Sequence, residues 1–351
     1  MLDPFYTPDN LAHEVVSLYN GKPSRIGDFC AGDGGLLRAC EERFPKAKYF
    51  ANDKSKRAYF KLVKNHKNWD VYNLDLLSDK SLLEVMHLNG AFDLLLLNPP
   101  FTCKGQTYKF IFDGVKFSAS KALLFLIRSI RFLSSGGRLL AVLPIGVSIS
   151  ERDAVLMSYL KRAYGFHVHR KVSGVSFAGK APNVILAELC RPAILPAYTP
   201  KTIRKQDYGF LHRGTLNVVD AKNKIVARKG MAFIHTTNLV GGKIVEARTR
   251  VSSRGTKVLV GPAVLVPRVG NPNVGKVVVI GEGEKCVLSD CVIAILSRDC
   301  SSACHIKNII RAQEESFYRL YAGTGAKYIT LSRLGKYLKK IVLPQYMRNH
   351  G

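Results

Sequence analysis

Along the first half of the chain, short apolar runs alternate with segments whose apolar positions recur every three to four residues. Residues 24–29, 48–51, 71–74, 92–97, 138–143 and 184–189 read as strands. Residues 11–19, 36–43, 54–65, about 120–133 and 151–164 read as amphipathic helices between them. Apolar strands separated by helices belong to a parallel sheet covered on both faces. Residues 1–195 therefore predict a doubly wound α/β domain, with its ligand at the carboxyl ends of the strands. The pattern breaks between Arg191 and Lys201, where Pro192, Pro196 and Pro200 fix φ and remove backbone donors, as in a stiff linker. Residues 196–351 predict a second, mostly β domain of short strands, among them 215–219, 258–260, 263–266, 277–280, 287–288 and 292–296, with glycines between them.

Charge narrows the class of partner. Of 351 residues, 53 are Lys or Arg and 26 Asp or Glu, a formal net charge of +27, while 47% are hydrophobic. That apolar fraction excludes a disordered basic tail, and the charge points to a polyanion. The first 195 residues carry 27 basic and 17 acidic side chains, the shorter remainder 26 and 9. No apolar stretch is long enough to span a membrane, and Met1–Asn10 lacks the basic-then-apolar pattern of a secretion signal, so a cytoplasmic location is expected. Eight cysteines then read as reduced thiols. Cys286, Cys291, Cys300 and Cys304, followed by His305, lack the paired short spacings of zinc sites, so packing is the reading preferred over metal.

Two motifs carry chemistry. The run Asp28-Phe-Cys-Ala-Gly-Asp-Gly-Gly-Leu36 follows a strand and opens a helix, placing Cys30, Gly32 and Gly34 where backbone can approach a ligand closely. Asp53 lies at the distance where a carboxylate accepts from ribose hydroxyls, and it also fits the N-cap of the helix that follows. Leu37 occupies the place of the third glycine that a nicotinamide fingerprint needs. The second motif is Phe92-Asp-Leu-Leu-Leu-Leu-Asn-Pro-Pro-Phe101, an apolar strand ending in a stiff turn.

The first motif resembles the cofactor turn of S-adenosylmethionine-dependent methyltransferases, and Asn98-Pro99-Pro100-Phe101 resembles the catalytic motif of amino-methyltransferases. The whole chain resembles the N6-adenine DNA methyltransferases of the gamma order, with a Rossmann-like catalytic domain followed by a target-recognition domain. The resemblance implies S-adenosyl-L-methionine as cofactor, held by Phe5, Tyr6, Thr7, Asp28, Cys30, Gly32, Gly34, Asp53, Asp75 and Asn98. It implies that Asn98 and the Pro99 carbonyl accept the N–H bonds of an adenine amino group, and that Phe101 and Phe177 stack on the two faces of the flipped base. Gly136–Pro144 and Asn183–Ala187 fit the family's fifth strand and the strand after the aromatic. Phe29, Asp33 and Asn183 depart from the commoner proline, serine and threonine, and Phe101 from the commoner tyrosine.

Duplex DNA is the expected partner, with a separate restriction endonuclease as a further possibility, and the protein is expected to act as a monomer in a prokaryotic or phage nucleoid. Residues 102–116, with Lys104 and Lys109, read as a segment lying against the target strand or as a solvated loop. Lys243, Arg248, Arg250, Arg254 and Lys257 fall within fifteen residues and are expected to face DNA. Asp220-Ala-Lys222 matches part of a nuclease motif, but the length leaves no room for a nuclease domain. The rivals are an RNA methyltransferase for adenine N6 or guanine N2, an N4-cytosine enzyme, and a non-catalytic DNA-reading subunit.

Overall fold

The apolar run Phe92–Leu97 is the fourth strand of a seven-stranded sheet, and its buried leucines divide the hydrophobic core in two. Leu95 and Leu97 pack into the cluster on one face, Leu94 and Leu96 into the cluster on the other. Both faces are apolar because both are covered, as a doubly wound sheet requires. A computed structural model of the chain describes residues 6–101, 106–177, 181–194, 208–226, 230–245, 247, 249–323, 326–342 and 344–347. The chain divides into two compact units, 1–203 and 204–351.

The first unit runs α1 (Asp9–Ser17), β1 (Arg25–Asp28), α2 (Gly35–Arg43), β2 (Lys48–Asn52), α3 (Lys56–Asn65), β3 (Trp69–Tyr72), α4 (Asp79–Glu84) and β4 (Phe92–Leu97). It continues with β5 (Tyr108–Phe112), β6 (Val115–Ala119), α5 (Lys121–Ile130), β7 (Leu133–Pro144), α6 (Gly146–Ile149), α7 (Ala154–Ala163), β8 (His167–Val172) and β9 (Val184–Cys190). The main sheet has the order β3-β2-β1-β4-β7-β9-β8. Strands β1, β2, β3, β4 and β7 are mutually parallel, and β9 runs antiparallel to both neighbours. This is a doubly wound, Rossmann-like α/β fold, and it brings the carboxyl ends of β1 to β4 to one edge.

Two expectations shift. The helix foreseen to residue 133 ends at Ile130, and Leu133 already pairs with Phe92 in β7. The segment after the Asn-Pro-Pro turn is a hairpin rather than a loop: β5 and β6 pair antiparallel across Asp113 and Gly114, whose φ values of 49° and 75° suit a tight two-residue turn. The tip is fastened to the core. The hydroxyls of Tyr159 and Tyr164 each donate to Asp113 Oδ2 at 2.7 Å, and Phe112 stacks on Tyr164 with centroids 5.5 Å apart. The opposite face leaves Lys109, Ile111, Lys116 and Ser118 exposed.

The second unit contains β10 (Leu211–Arg213), α8 (Val218–Lys222), β11 (Met231–Ile234), β12 (Leu239–Val240), β13 (Lys243–Ile244), β14 (Arg250–Val251), β15 (Val258–Val260), β16 (Ala263–Pro267), β17 (Val278–Ile280), β18 (Lys285–Leu288) and β19 (Val292–Leu296). Three helices follow: α9 (Cys300–Ala312), α10 (Glu314–Tyr318) and α11 (Leu331–Ile341). Two four-stranded sheets, β10-β19-β16-β17 and β14-β11-β18-β15, form its frame. The strand expected over 215–219 is instead the start of α8, because the Asn217 side chain accepts from the Asp220 N–H and caps a helix. Asp220 thus stands in the first turn of α8, its Oδ2 accepting from Asn217 Nδ2 at 2.6 Å. Among the described residues of 341–344 no strand is found either: Ile341 ends α11, and a 3-10 turn occupies Pro344–Tyr346.

Cys300 and Cys304 lie on α9, which is started by Asp299 accepting from the Ser302 N–H, while Cys286 is in β18. Among the described residues the cysteines are free thiols, and no three His, Cys, Asp or Glu side chains converge as a metal site would need. No helix among the described residues is long and apolar enough to cross a membrane.

Candidate functional site

Each of β1 to β4 ends in a polar residue just beyond its apolar run, and the sheet order sets these ends side by side. Asp28 closes β1 and is almost wholly buried, its Oδ1 accepting from the Cys30 N–H at 2.8 Å. Its carboxyl is pushed up to about 8, chiefly by burial and further by the nearby Asp53, against the downward pull of the Cys30 N–H. Burial also drives the Cys30 thiol well above its ordinary value.

The turn after β1 is shaped by glycines. Gly32 has φ +58°, and a Cβ there would sit 2.8 Å from the Tyr6 ring. Gly34 has φ +88°, and a Cβ there would meet Leu62 at 2.9 Å. Both positions therefore demand glycine on grounds of backbone and of space. Asp53 ties the turn to the second strand: Oδ2 accepts from the Gly32 N–H at 2.9 Å and Oδ1 from the Ser55 N–H at 2.8 Å. Its carboxyl is raised by burial despite these two bonds. The N-cap of α3 is Ser55 and not Asp53.

Asn52, which sequence reasoning did not single out, stitches the strand ends together. It is 1% exposed, donates to the Phe29 and Leu74 carbonyls, and accepts from the Leu74 N–H. An asparagine at the end of the run Tyr49-Phe-Ala was the available signal. Asp75 follows on the next strand end, with Oδ2 taking a 2.7 Å bond from Lys54 and Oδ1 one from the Leu77 N–H. Burial raises its carboxyl, but these bonds and the Lys54 and Lys121 charges outweigh that and hold it below the usual carboxylate range.

At the end of β4, Asn98 Nδ2 donates to Thr7 Oγ1 at 2.8 Å. That bond orients the amide. Pro99 is buried, while Pro100 and Phe101 are half-buried. Tyr6, Thr7, Asp28, Cys30, Gly32 and Asn98 line one cleft together with Ala31, Asp33, Gly35 and Leu36. The structure thus brings the glycine turn and the asparagine turn to one place, as a cofactor beside its acceptor would need.

Not every expected residue joins them. Phe177 is fully buried in the core, and its ring meets that of Phe101 edge-on, 66° between planes and 6.0 Å between centroids. A base held between two rings needs parallel faces with a third plane between them. The expected slot is therefore not the arrangement found: Phe101 packs, half-buried, against the core cluster that contains Phe177. Phe5, Lys104 and Arg248 lie outside the described residues, as does most of the proline-rich seam. Lys109 is exposed on the β5–β6 hairpin.

The basic run of the second unit is dispersed by the fold. Lys243 sits on the separate β12–β13 hairpin and Arg250 on β14 at one edge of its sheet, where it donates to the Gly230 carbonyl. Arg254 and Lys257 are exposed on the connection that leads to β15 at the opposite edge.

No protein-family model and no curated protein matches the chain. Solved structures do. The modification subunit of a putative type I restriction enzyme from Vibrio vulnificus is 18% identical, covering 56% of this chain and 48% of that one, with a TM-score of 0.41. A putative RNA methyltransferase from Pyrococcus horikoshii is 17% identical over 55% and 87% of the two chains, with a TM-score of 0.39. A predicted O-methyltransferase from Agrobacterium tumefaciens is 17% identical over 51% and 79%, with a TM-score of 0.37. The chain spans about half the length of the restriction-enzyme subunit.

Proposed function

We propose that this chain is an S-adenosylmethionine-dependent methyltransferase that modifies the N6 amino group of a flipped adenine at specific sites in duplex DNA. The observation that carries the reading is the meeting of Asn98, at the head of Asn-Pro-Pro-Phe, with Thr7 and the Asp28–Gly32 turn in one cleft. In this reading residues 1–195 are the catalytic domain and residues 196–351 recognise the target. A restriction-modification setting, with a separate endonuclease as partner, fits the same reading.

S-adenosylmethionine supplies a methyl group made electrophilic by its sulfonium. The residues fit such a group: a tight glycine turn whose Gly32 lines the cleft under the Tyr6 ring, and a buried carboxyl at Asp28 on the same cleft. Tyr6, Thr7, Asp28, Cys30, Gly32, Gly34, Asp53 and Asp75 are assigned to hold it. Asp75 can take a nucleoside amino group in place of the Lys54 ammonium.

An adenine amino nitrogen is a poor nucleophile because its lone pair is delocalised into the ring. The Asn98 carboxamide oxygen and the Pro99 carbonyl are assigned to accept its two N–H bonds, which localises the lone pair toward the methyl group. This is electrostatic preorganisation and needs no strong base. The stiffness of Pro99-Pro100 keeps the acceptors in place. Phe101 offers its face to the base, a contact worth about 1–3 kcal/mol.

The test is incubation with radiolabelled cofactor and duplex DNA, ribosomal RNA or protein, followed by digestion to nucleosides or amino acids. Label in N6-methyladenine from DNA supports the reading. Label confined to RNA or protein refutes it.

A further inference from the structure

The second unit also gathers cations from segments distant in sequence. Lys307 and Arg311 stand four residues apart on α9, so they share one face of the helix, while Ile306 and Ile310 are buried on the face beside it. Like charges so placed repel, and among the described residues no carboxylate lies within ion-pairing distance of either. What they meet instead is the β12–β13 turn. Lys307 Nζ donates to the Gly242 carbonyl at 3.4 Å, and a Cβ at Gly242 would lie 2.8 Å from the Arg311 guanidinium and 3.2 Å from Lys307 Nζ. Gly241 and Gly242 have φ of +57° and +78°, and nothing stands within 4 Å of where a Gly241 Cβ would be. The turn is braced from behind by the Gly242 N–H, which donates to the Gly275 carbonyl at 2.6 Å. Lys243, exposed, follows at once.

We infer that this notch, formed by Lys307, Arg311 and the Gly241-Gly242 turn with Lys243 at its rim, grips a backbone phosphate of duplex DNA. The chemistry is that of a phosphodiester oxygen. Arg311 offers a planar fork of N–H donors and Lys307 a point charge with two protons beyond the one given to Gly242. Gly242 lets the two cations close onto the turn's backbone, and Gly241, exposed and with nothing within 4 Å of its Cβ position, leaves a phosphate room to approach. Such a contact sets grip and register and reads no base. The inference rests on the reading that the chain acts on DNA, and it assigns a residue set different from the dispersed 243–257 run.

The test uses the full chain and a fluorescein-labelled DNA duplex of random sequence, with affinity measured by anisotropy across a salt series. The variants are Lys307→Gln/Arg311→Gln and, as a control of equal charge, Lys336→Gln/Lys340→Gln on the exposed face of α11. Each phosphate contact contributes about 0.9 to the slope of log affinity against log salt. The notch variant is expected to lose about one unit of slope and at least tenfold in affinity at low salt, with an unchanged melting temperature, and the control to lose clearly less. Equal losses in both variants, or wild-type affinity in the notch variant, overturn the notch and leave the DNA reading standing. A wild-type protein that binds no DNA overturns both, and so does a notch variant that loses affinity only for an RNA hairpin run in parallel.

Discussion

Asn98 and Thr7 are 91 residues apart in sequence and 2.8 Å apart in space, the carboxamide nitrogen of one donating to the hydroxyl of the other. The bond turns an asparagine at a strand end into an oriented group, because it gives the amide one defined face. Asn98→Ala is expected to lower kcat by at least about 10²–10³-fold while cofactor binding survives. Thr7→Val should keep the asparagine and loosen its aim, with a loss of up to about 10²-fold in kcat. Single-turnover methylation paired with calorimetric titration of the cofactor checks both. Undiminished transfer by Asn98→Ala would sink the mechanism.

Asp28 predicts a pH dependence. Its folded carboxyl sits at about 8, raised chiefly by burial, against about 3.9 in an unfolded chain. Its contribution to stability is fully present below pH ~4. As pH rises from there toward 8 the unfolded chain gives up its proton while the folded one keeps it, and the contribution is progressively lost. Urea melts at pH 6 and pH 8.5 should show the wild type less stable at the higher pH. Asp28→Asn cannot ionise and should flatten that difference. An identical drop in both proteins would remove Asp28 as its source.

Gly32 is tested by adding one methyl group. Gly32→Ala forces a side chain into φ +58°, at a cost of about 1–2 kcal/mol, and drives it against the Tyr6 ring. The variant is expected to melt lower and to bind the cofactor at least tenfold more weakly, as read by calorimetry. Normal cofactor affinity in a folded variant would place the cofactor elsewhere.

The hairpin clamp gives a further expectation. Asp113→Ala removes the acceptor of two tyrosine hydroxyls and puts alanine at φ 49°. Hydrogen bonds to a charged group are worth about 1.5–3 kcal/mol, so the urea midpoint should fall markedly. Asp113→Asn tolerates the backbone and should fall less. Faster amide exchange across β5 and β6 would locate the loss at the hairpin.

Six of the seven strands of the catalytic sheet were legible as short apolar runs, with Asn98 and Asp28 each ending one; β8, His-Val-His-Arg-Lys-Val, escaped because an edge strand with two apolar residues carries no such run. The hairpin was legible in part: Tyr108-Lys-Phe-Ile-Phe112 alternates around Asp113-Gly114, but its position after the catalytic turn favoured a loop that meets DNA. Asn52 escaped because its partners, Phe29 and Leu74, are more than twenty residues away on either side, and only strand order reveals them. In the second unit α9 was hidden by its cysteines, which drew attention from the Asp299 cap and from the spacing of Ile306 and Ile310. The meeting of Arg311 with Gly242 depends on tertiary packing that no local pattern encodes.

The packing of the two units has an evolutionary consequence. Every residue of the two hydrophobic clusters around the main sheet precedes residue 190, and every residue of the other three follows residue 207. Among the described residues, each core draws on its own stretch of sequence. Residues 204–351 are thus free to drift in sequence, or to be exchanged as a cassette, while the chassis that carries Asn98 keeps its shape.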